Sequence, residues 1–230
     1  MESNGREAVR GAVKVVAATA LFAGVHSLLA SRASKRIVRR ALGTSRRNAL
    51  YRPLYLVQSV ATFGALLVYF NRQPARTLYE VHGPLAWSMR AGQVVGLGHA
   101  IWGAYHVGIP GILGLSGLTA WIRGKPVTAE PEAQGPVCEK GEMKASGPFR
   151  WHRHPLNFAP LPVLWLFPRM TTRLGALNLA STVYLIAGSL HEEARLRAAY
   201  PSAYPKYEAS GVPFYLPGAN PPVPKKTTRG

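Results

Sequence analysis

Apolar stretches nearly free of charge alternate along this chain with loops crowded with arginine, and that segregation limits the fold more than any other feature. A bilayer core offers no water to backbone groups, so a crossing segment must satisfy them internally, as helix. Five segments fit: Gly11 to Ala30, Leu54 to Phe70, Gly92 to Leu118, Pro155 to Pro168 and Arg173 to Leu190. The third exceeds the ~20 residues a span needs and contains Gly108-Ile109-Pro110-Gly111, which predicts a kink or break. The fourth has 14 residues, with Pro160 and Pro162 inside it. At ~1.5 Å per residue it reaches about 21 Å, short of the ~30 Å hydrocarbon core, so a broken, tilted or re-entrant segment is expected. The fifth reads as a clean span with small residues for close packing. The expected fold is all-α: a polytopic membrane helix bundle of about five transmembrane segments, the fourth broken, with a cytoplasmic C-terminal helix. One domain is expected over residues 1–218, followed by a disordered basic tail over 219–230.

The loops set an orientation. Residues 31–53 carry Arg32, Lys35, Arg36, Arg39, Arg40, Arg46, Arg47 and Arg52 and no acid. The positive-inside rule makes this loop cytoplasmic. Counting onward puts the N-terminus and the 71–91 loop outside, and the 119–154 loop and the C-terminal tail inside. The net charge of +18 sits beside apolar spans, so it is read as loops facing anionic lipid and not as a nucleic-acid surface. The single cysteine, Cys138, rules out an intrachain disulfide or a cysteine-rich metal site. Arg6, Arg10 and Lys14 ahead of an apolar run mimic a signal peptide, but Glu2 and Glu7 dilute the basic region. A retained span is expected.

Two polar clusters fall on the cytoplasmic side. The first is Arg150, His152, Arg153 and His154 before Pro155. A basic interfacial collar is one reading. Against it, His154 precedes a proline and is biased toward extended backbone, which leaves it available to a ligand. The second is His191-Glu192-Glu193. Successive helical residues lie ~100° apart, so one of the two glutamates can face the bundle and a cationic ligand group. Tyr200, Tyr204 and Tyr207 follow at helical spacing, as an interfacial aromatic belt or as a cofactor wall. His26, His99 and His106 lie in apolar spans, where ionisable residues are functional candidates. A bis-histidine haem site would need two helices aimed at one iron.

Gly147-Pro148-Phe149-Arg150, Arg153-His154-Pro155, Pro168-Arg169-Met170-Thr171 and Glu192-Glu193, followed by Leu196, Tyr204, Tyr207, Val212-Pro213 and Leu216-Pro217, form a familiar pattern. It resembles the isoprenylcysteine carboxyl methyltransferase superfamily, most of all the bacterial methanethiol S-methyltransferase and NnrU-like branch, where a His-Ser pair also stands in the first span, as His26-Ser27 does here. The likeness covers most of residues 15–217 and is specific in the last seventy. It implies an enzyme that binds S-adenosylmethionine at the cytoplasmic membrane face and methylates a small thiol or a lipophilic acceptor. Implied cofactor contacts are Arg150, His154, Pro155, Glu192, Glu193, Tyr204 and Tyr207. Arg153, His154 and His26 are the candidate catalytic residues, with His26 or His154 as base; no metal is implied. The partners implied are the methyl acceptor and membrane lipid, in a bacterial inner membrane. Asn157 and Ala159 depart from the family's Tyr and Gly, and Tyr200-Pro201 departs from its Phe-Gly. The alternatives are an NnrU-like non-catalytic or haem-linked protein supporting a redox system, and a methyltransferase for prenylcysteine carboxylates or amino-lipids.

Overall fold

The computed structural model describes residues 2–128 and 135–218; the expected tail at 219–230 lies outside them. Ten α-helices, one 3-10 turn (Gly147–Arg150) and four short strands follow one another among the described residues. Three helices are long and apolar enough to cross a bilayer: α1 (Glu2–Ala30, apolar from Gly5), α3 (Thr44–Asn71) and α9 (Thr172–Ala199). Only 11–17% of their most apolar windows is buried inside the protein. Val13, Leu21, Val57, Val60, Leu179 and Val183 therefore point outward, as lipid-facing side chains do. The first span packs along α9 and also against α3. Val15, Leu66 and Leu177 form one buried cluster, flanked by Ala18, Phe22, Phe70 and Leu174.

The arginine-rich stretch after α1 is not a loop. Ser31 accepts a hydrogen bond from the Ser34 amide and caps α2 (Arg32–Leu42), and Gly43 separates α2 from α3. Arginine is a good helix former, so a charged connection of this composition folds as readily as an apolar one. Ile37 and Leu42 remain exposed beside the arginines, giving α2 the two-faced character of a helix lying in a membrane surface.

The third apolar segment breaks where proline and glycine fall. α4 (Gly83–Val107) ends at Gly108, a short α5 (Ile109–Ile112) carries Pro110, and α6 (Leu115–Ile122) packs back on α3. The fourth segment is two short helices, α7 (Pro155–Phe158) and α8 (Pro160–Trp165). Small residues of α4 seat it. A β-carbon on Gly96 would stand 2.8 Å from Pro162 and 3.0 Å from the Ala159 carbonyl, and one on Gly103 would meet Leu156 at 3.1 Å. The broken segment thus lies in a groove that only glycine leaves open.

Strands occupy the stretches read as loops. β1 (Thr77–Glu80) pairs antiparallel with β4 (Arg169–Thr171), and Arg173 donates to the carbonyls of Asn71 and Gln73, closing the end of the bundle where α3 stops and α9 starts. β2 (Val137–Glu139) and β3 (Glu142–Lys144) form a hairpin that sets Met143 and Ala145 against α10 (Ala203–Glu208). At the N-terminus of α9 the Thr171 hydroxyl accepts from the Leu174 amide. That helix runs on through His191, Glu192 and Glu193, so the fifth apolar segment and the second polar cluster are one continuous helix.

Candidate functional site

The Arg-His-Pro segment owes its place to Gly147. Its φ is +53°, and a β-carbon there would lie 2.4 Å from the His106 ring, so both the backbone turn and the close approach require glycine. From this turn the chain runs as His152-Arg153-His154 toward α7 and meets the last turns of α9. His152, His154, Glu192 and Glu193 are all buried.

Glu193 is the centre of a closed ionic network. Its Oε1 is 2.9 Å from Arg153 Nε, 3.2 Å from His154 Nε2 and 3.3 Å from the Tyr204 hydroxyl. Its Oε2 accepts from Arg197 at 2.9 Å. Arg197 in turn binds Glu208 at 2.6 Å, and that bond is the main reason the Glu208 carboxyl is held below its ordinary range. Burial, and then the Glu193 charge, push the Tyr204 phenol well above its usual range. Tyr207 is likewise raised by burial and donates to the Phe149 carbonyl at 2.6 Å. Tyr204, Tyr207, Leu196 and Val212 form a buried apolar cluster beneath. The arrangement clamps α10 and the Arg153 segment onto α9.

Glu192, the next residue, faces the other way. Its Oε2 accepts from Asn157 at 3.2 Å and lies 3.5 Å from His154 Nδ1. Asn157 also donates to Ser189 at 2.9 Å and so ties α7 to α9. Beyond Glu192 opens a cavity of about 340 Å³. His26 and Ser27 reach it from α1, Lys35 from α2, and Tyr184, His191 and Arg195 from α9. α3 contributes Arg47, Asn48, Tyr51, Arg52 and Tyr55. Four cations and one acid therefore line it.

Within this cavity His26 is held at both ring nitrogens. Nε2 is 2.5 Å from the Tyr55 hydroxyl and Nδ1 is 3.1 Å from Ser59 Oγ. Ser27 donates to the Tyr184 hydroxyl at 3.2 Å. The Arg52 guanidinium sits 5.8 Å from the centre of the Tyr55 ring, and its Nε donates to the Ile112 carbonyl at 2.8 Å. An adjoining apolar groove of about 500 Å³ runs between α2 and α3, lined by Leu29, Ile37, Val38, Leu42 and Leu54. It shares Arg47, Tyr51 and Tyr55 with the cavity.

Of the candidate residues singled out in the sequence, His26, His191 and Glu192 line the cavity. Arg153, His154, Glu193, Tyr204 and Tyr207 stand in or beneath the ionic network behind Glu192, and Pro155 is buried as the first residue of α7. Arg150 ends the turn begun at Gly147, and neither it nor Pro155 lines the cavity. His99 and His106 do not meet at one point. His99 Nε2 is 2.8 Å from His152 Nε2, whereas His106 Nδ1 bonds the Trp102 carbonyl. Burial, and then His99, push the His152 ring down to about 4, so it is neutral near pH 7. Sequence reasoning missed the α3 wall. Its signal was a polar stripe, Asn48, Tyr51, Arg52, Tyr55 and Ser59, repeating every three or four residues at the start of an apolar span.

Comparison with protein-family models, with curated proteins and with solved structures found no match to this chain.

Proposed function

We propose that this chain is an integral membrane methyltransferase that binds S-adenosylmethionine and methylates a small thiol or a lipophilic acceptor. The observation that carries this reading is a single cavity joining His26-Ser27 of the first span to Glu192 and Arg195 of the last long helix. These are two elements of the superfamily pattern, distant in sequence, that meet at one place. The cavity's volume of about 340 Å³ falls in the range of sites for cofactor-sized ligands and exceeds what a small thiol alone would fill.

The lining suits that cofactor. Glu192 offers a carboxylate to a sulfonium or amino group, Arg52 and Arg195 offer donors to a carboxylate, and Tyr51 and Tyr184 offer flat faces to an adenine. When bound, the cofactor supplies an activated methyl group on a sulfur that leaves readily. The chain's own part is to orient the acceptor, exclude water and receive a proton. The groove between α2 and α3 gives an apolar acceptor a way in from lipid. In this reading α4 and the broken α7–α8 pair sit in the membrane beside the three long spans, completing five segments. The arginine-rich α2 and the cavity face the cytoplasm of a bacterial cell, at its inner membrane.

Calorimetry on the full chain in lipid nanodiscs tests this. S-adenosylmethionine binds the wild-type chain, and Glu192→Gln weakens binding about 100-fold, the scale of one lost buried charge contact. No binding by wild type at millimolar cofactor overturns the proposal.

A further inference from the structure

Hydrogen-bond bookkeeping around His26 fixes which of its nitrogens carries the proton. Ser59 has one hydroxyl hydrogen, and Ser59 Oγ lies 2.7 Å from the Tyr55 carbonyl, which can only accept. That hydrogen is therefore spent on the carbonyl, and toward His26 Nδ1, 3.1 Å away, Ser59 is an acceptor. Nδ1 then bears the ring hydrogen. Nε2 presents its lone pair to the Tyr55 hydroxyl at 2.5 Å, so Tyr55 is the donor. The chain of bonds has one direction, from the cavity through Tyr55 to His26 and on to Ser59.

We infer that Tyr55 is the catalytic group that takes the acceptor's proton and passes its own to His26. This rests on the methyl-transfer reading and adds the class of acceptor: one that carries an acidic X–H, such as a thiol, and reacts as its anion. The atoms balance. The X–H bond breaks with its electron pair left on X. Its proton goes to the Tyr55 oxygen as the Tyr55 hydrogen moves to His26 Nε2. The imidazolium so formed has both N–H groups bonded, one to Ser59 Oγ and one to Tyr55. The electron pair on X then forms the bond to the methyl carbon, and the carbon–sulfur pair returns to sulfur.

The cations that line the cavity favour the anionic half of this charge separation. Arg52, 5.8 Å from the Tyr55 ring centre, stabilises negative charge on the phenol oxygen as the proton passes. Lys35, Arg47 and Arg195, which line the same cavity from α2, α3 and α9, favour an anionic acceptor over an amine, which would stay cationic until it lost its proton. Tyr55 itself lines both the cavity and the apolar groove, where an acceptor arriving from lipid would first meet it.

Two measurements on the full chain in nanodiscs test the relay. In the first, nitrogen-15 spectra of labelled histidine, with His26 assigned through His26→Gln, show Nδ1 protonated and Nε2 bare. In Ser59→Ala the proton moves to Nε2. A wild-type His26 with its hydrogen on Nε2 overturns the relay, and this readout needs neither cofactor nor acceptor. In the second, Tyr55→Phe binds S-adenosylmethionine as tightly as wild type. Methylation of methanethiol by this variant falls at least about 100-fold at pH 7, then climbs about tenfold per pH unit as the thiol ionises by itself. A Tyr55→Phe variant that binds cofactor and keeps its rate across pH overturns the relay and leaves the methyltransferase reading standing. Failure of wild type to bind the cofactor removes that reading instead, and the nitrogen spectra still decide the direction of the bonds.

Discussion

Glu192 and Glu193 are neighbours in the chain, both buried, and their surroundings differ in kind. Glu193 is enclosed by Arg153, Arg197, His154 and Tyr204. Glu192 meets Asn157 and His154 on one side and a cavity on the other. The ~100° between successive helical residues is enough to put one carboxylate into the scaffold and the other into the site. A doubled acidic motif can thus divide its labour, one residue holding the wall in place and the other facing what binds.

The largest expected effect breaks the scaffold half. Glu193→Ala takes from Arg153 its nearest carboxylate and from His154 one of its two, and destabilises the fold by about 3–5 kcal/mol, read as a lower thermal midpoint in detergent. Glu192→Gln keeps the midpoint within a degree or two while losing cofactor affinity; equal losses of stability in the two variants would erase the distinction. Tyr204→Phe removes one hydrogen bond from Glu193 and costs about 1–2 kcal/mol, with cofactor affinity unchanged by calorimetry.

Acid probes the buried ring beside the network. His152 titrates near 4 when folded and near 6.5 when unfolded, so the unfolded chain binds the extra proton first. Stability is full above about pH 6.5, falls by about 1–2 kcal/mol as the pH drops toward 4, and loses no more from this group below that. In His152→Asn the slope between these limits flattens, as equilibrium unfolding at pH 7 and 4.5 would show. The smallest effect lies on the cavity side: Ser31→Ala uncaps α2 at about 1 kcal/mol and is seen as faster amide exchange in α2 alone.

The sequence made the long apolar helices, the break at Gly108-Ile109-Pro110 and the proline-split fourth segment legible, because bilayer thickness and proline chemistry act on local composition. The strand pair β1–β4 was not legible. Its partners lie about ninety residues apart; β1 is exposed along its whole length, and β4 has only three residues, too few for alternation to stand out. α2 was hidden because charge density was read as loop, although arginine and a serine cap favour helix. At the site, His26 and Glu192 were found as ionisable residues at the ends of apolar runs. Tyr55 and Ser59 were missed because such residues near a span end read as ordinary interfacial ones, and Arg52 was read only as loop charge; only the tertiary fold brings Tyr55 and Ser59 to His26.

α9 is fastened at both ends. Arg173 and the strand pair anchor its start, and the Glu193 network anchors its finish, over a rod of 28 residues, about 42 Å long. The opposite side of the cavity is the polar start of α3, and α2, a helix of 11 residues with no buried side chain hung between Ser31 and Gly43, adds Lys35. Tyr55 and His26 stand on α3 and α1, and α1 packs along that rod, so the proposed relay is carried by the long helices while Lys35 alone rides on the short basic one.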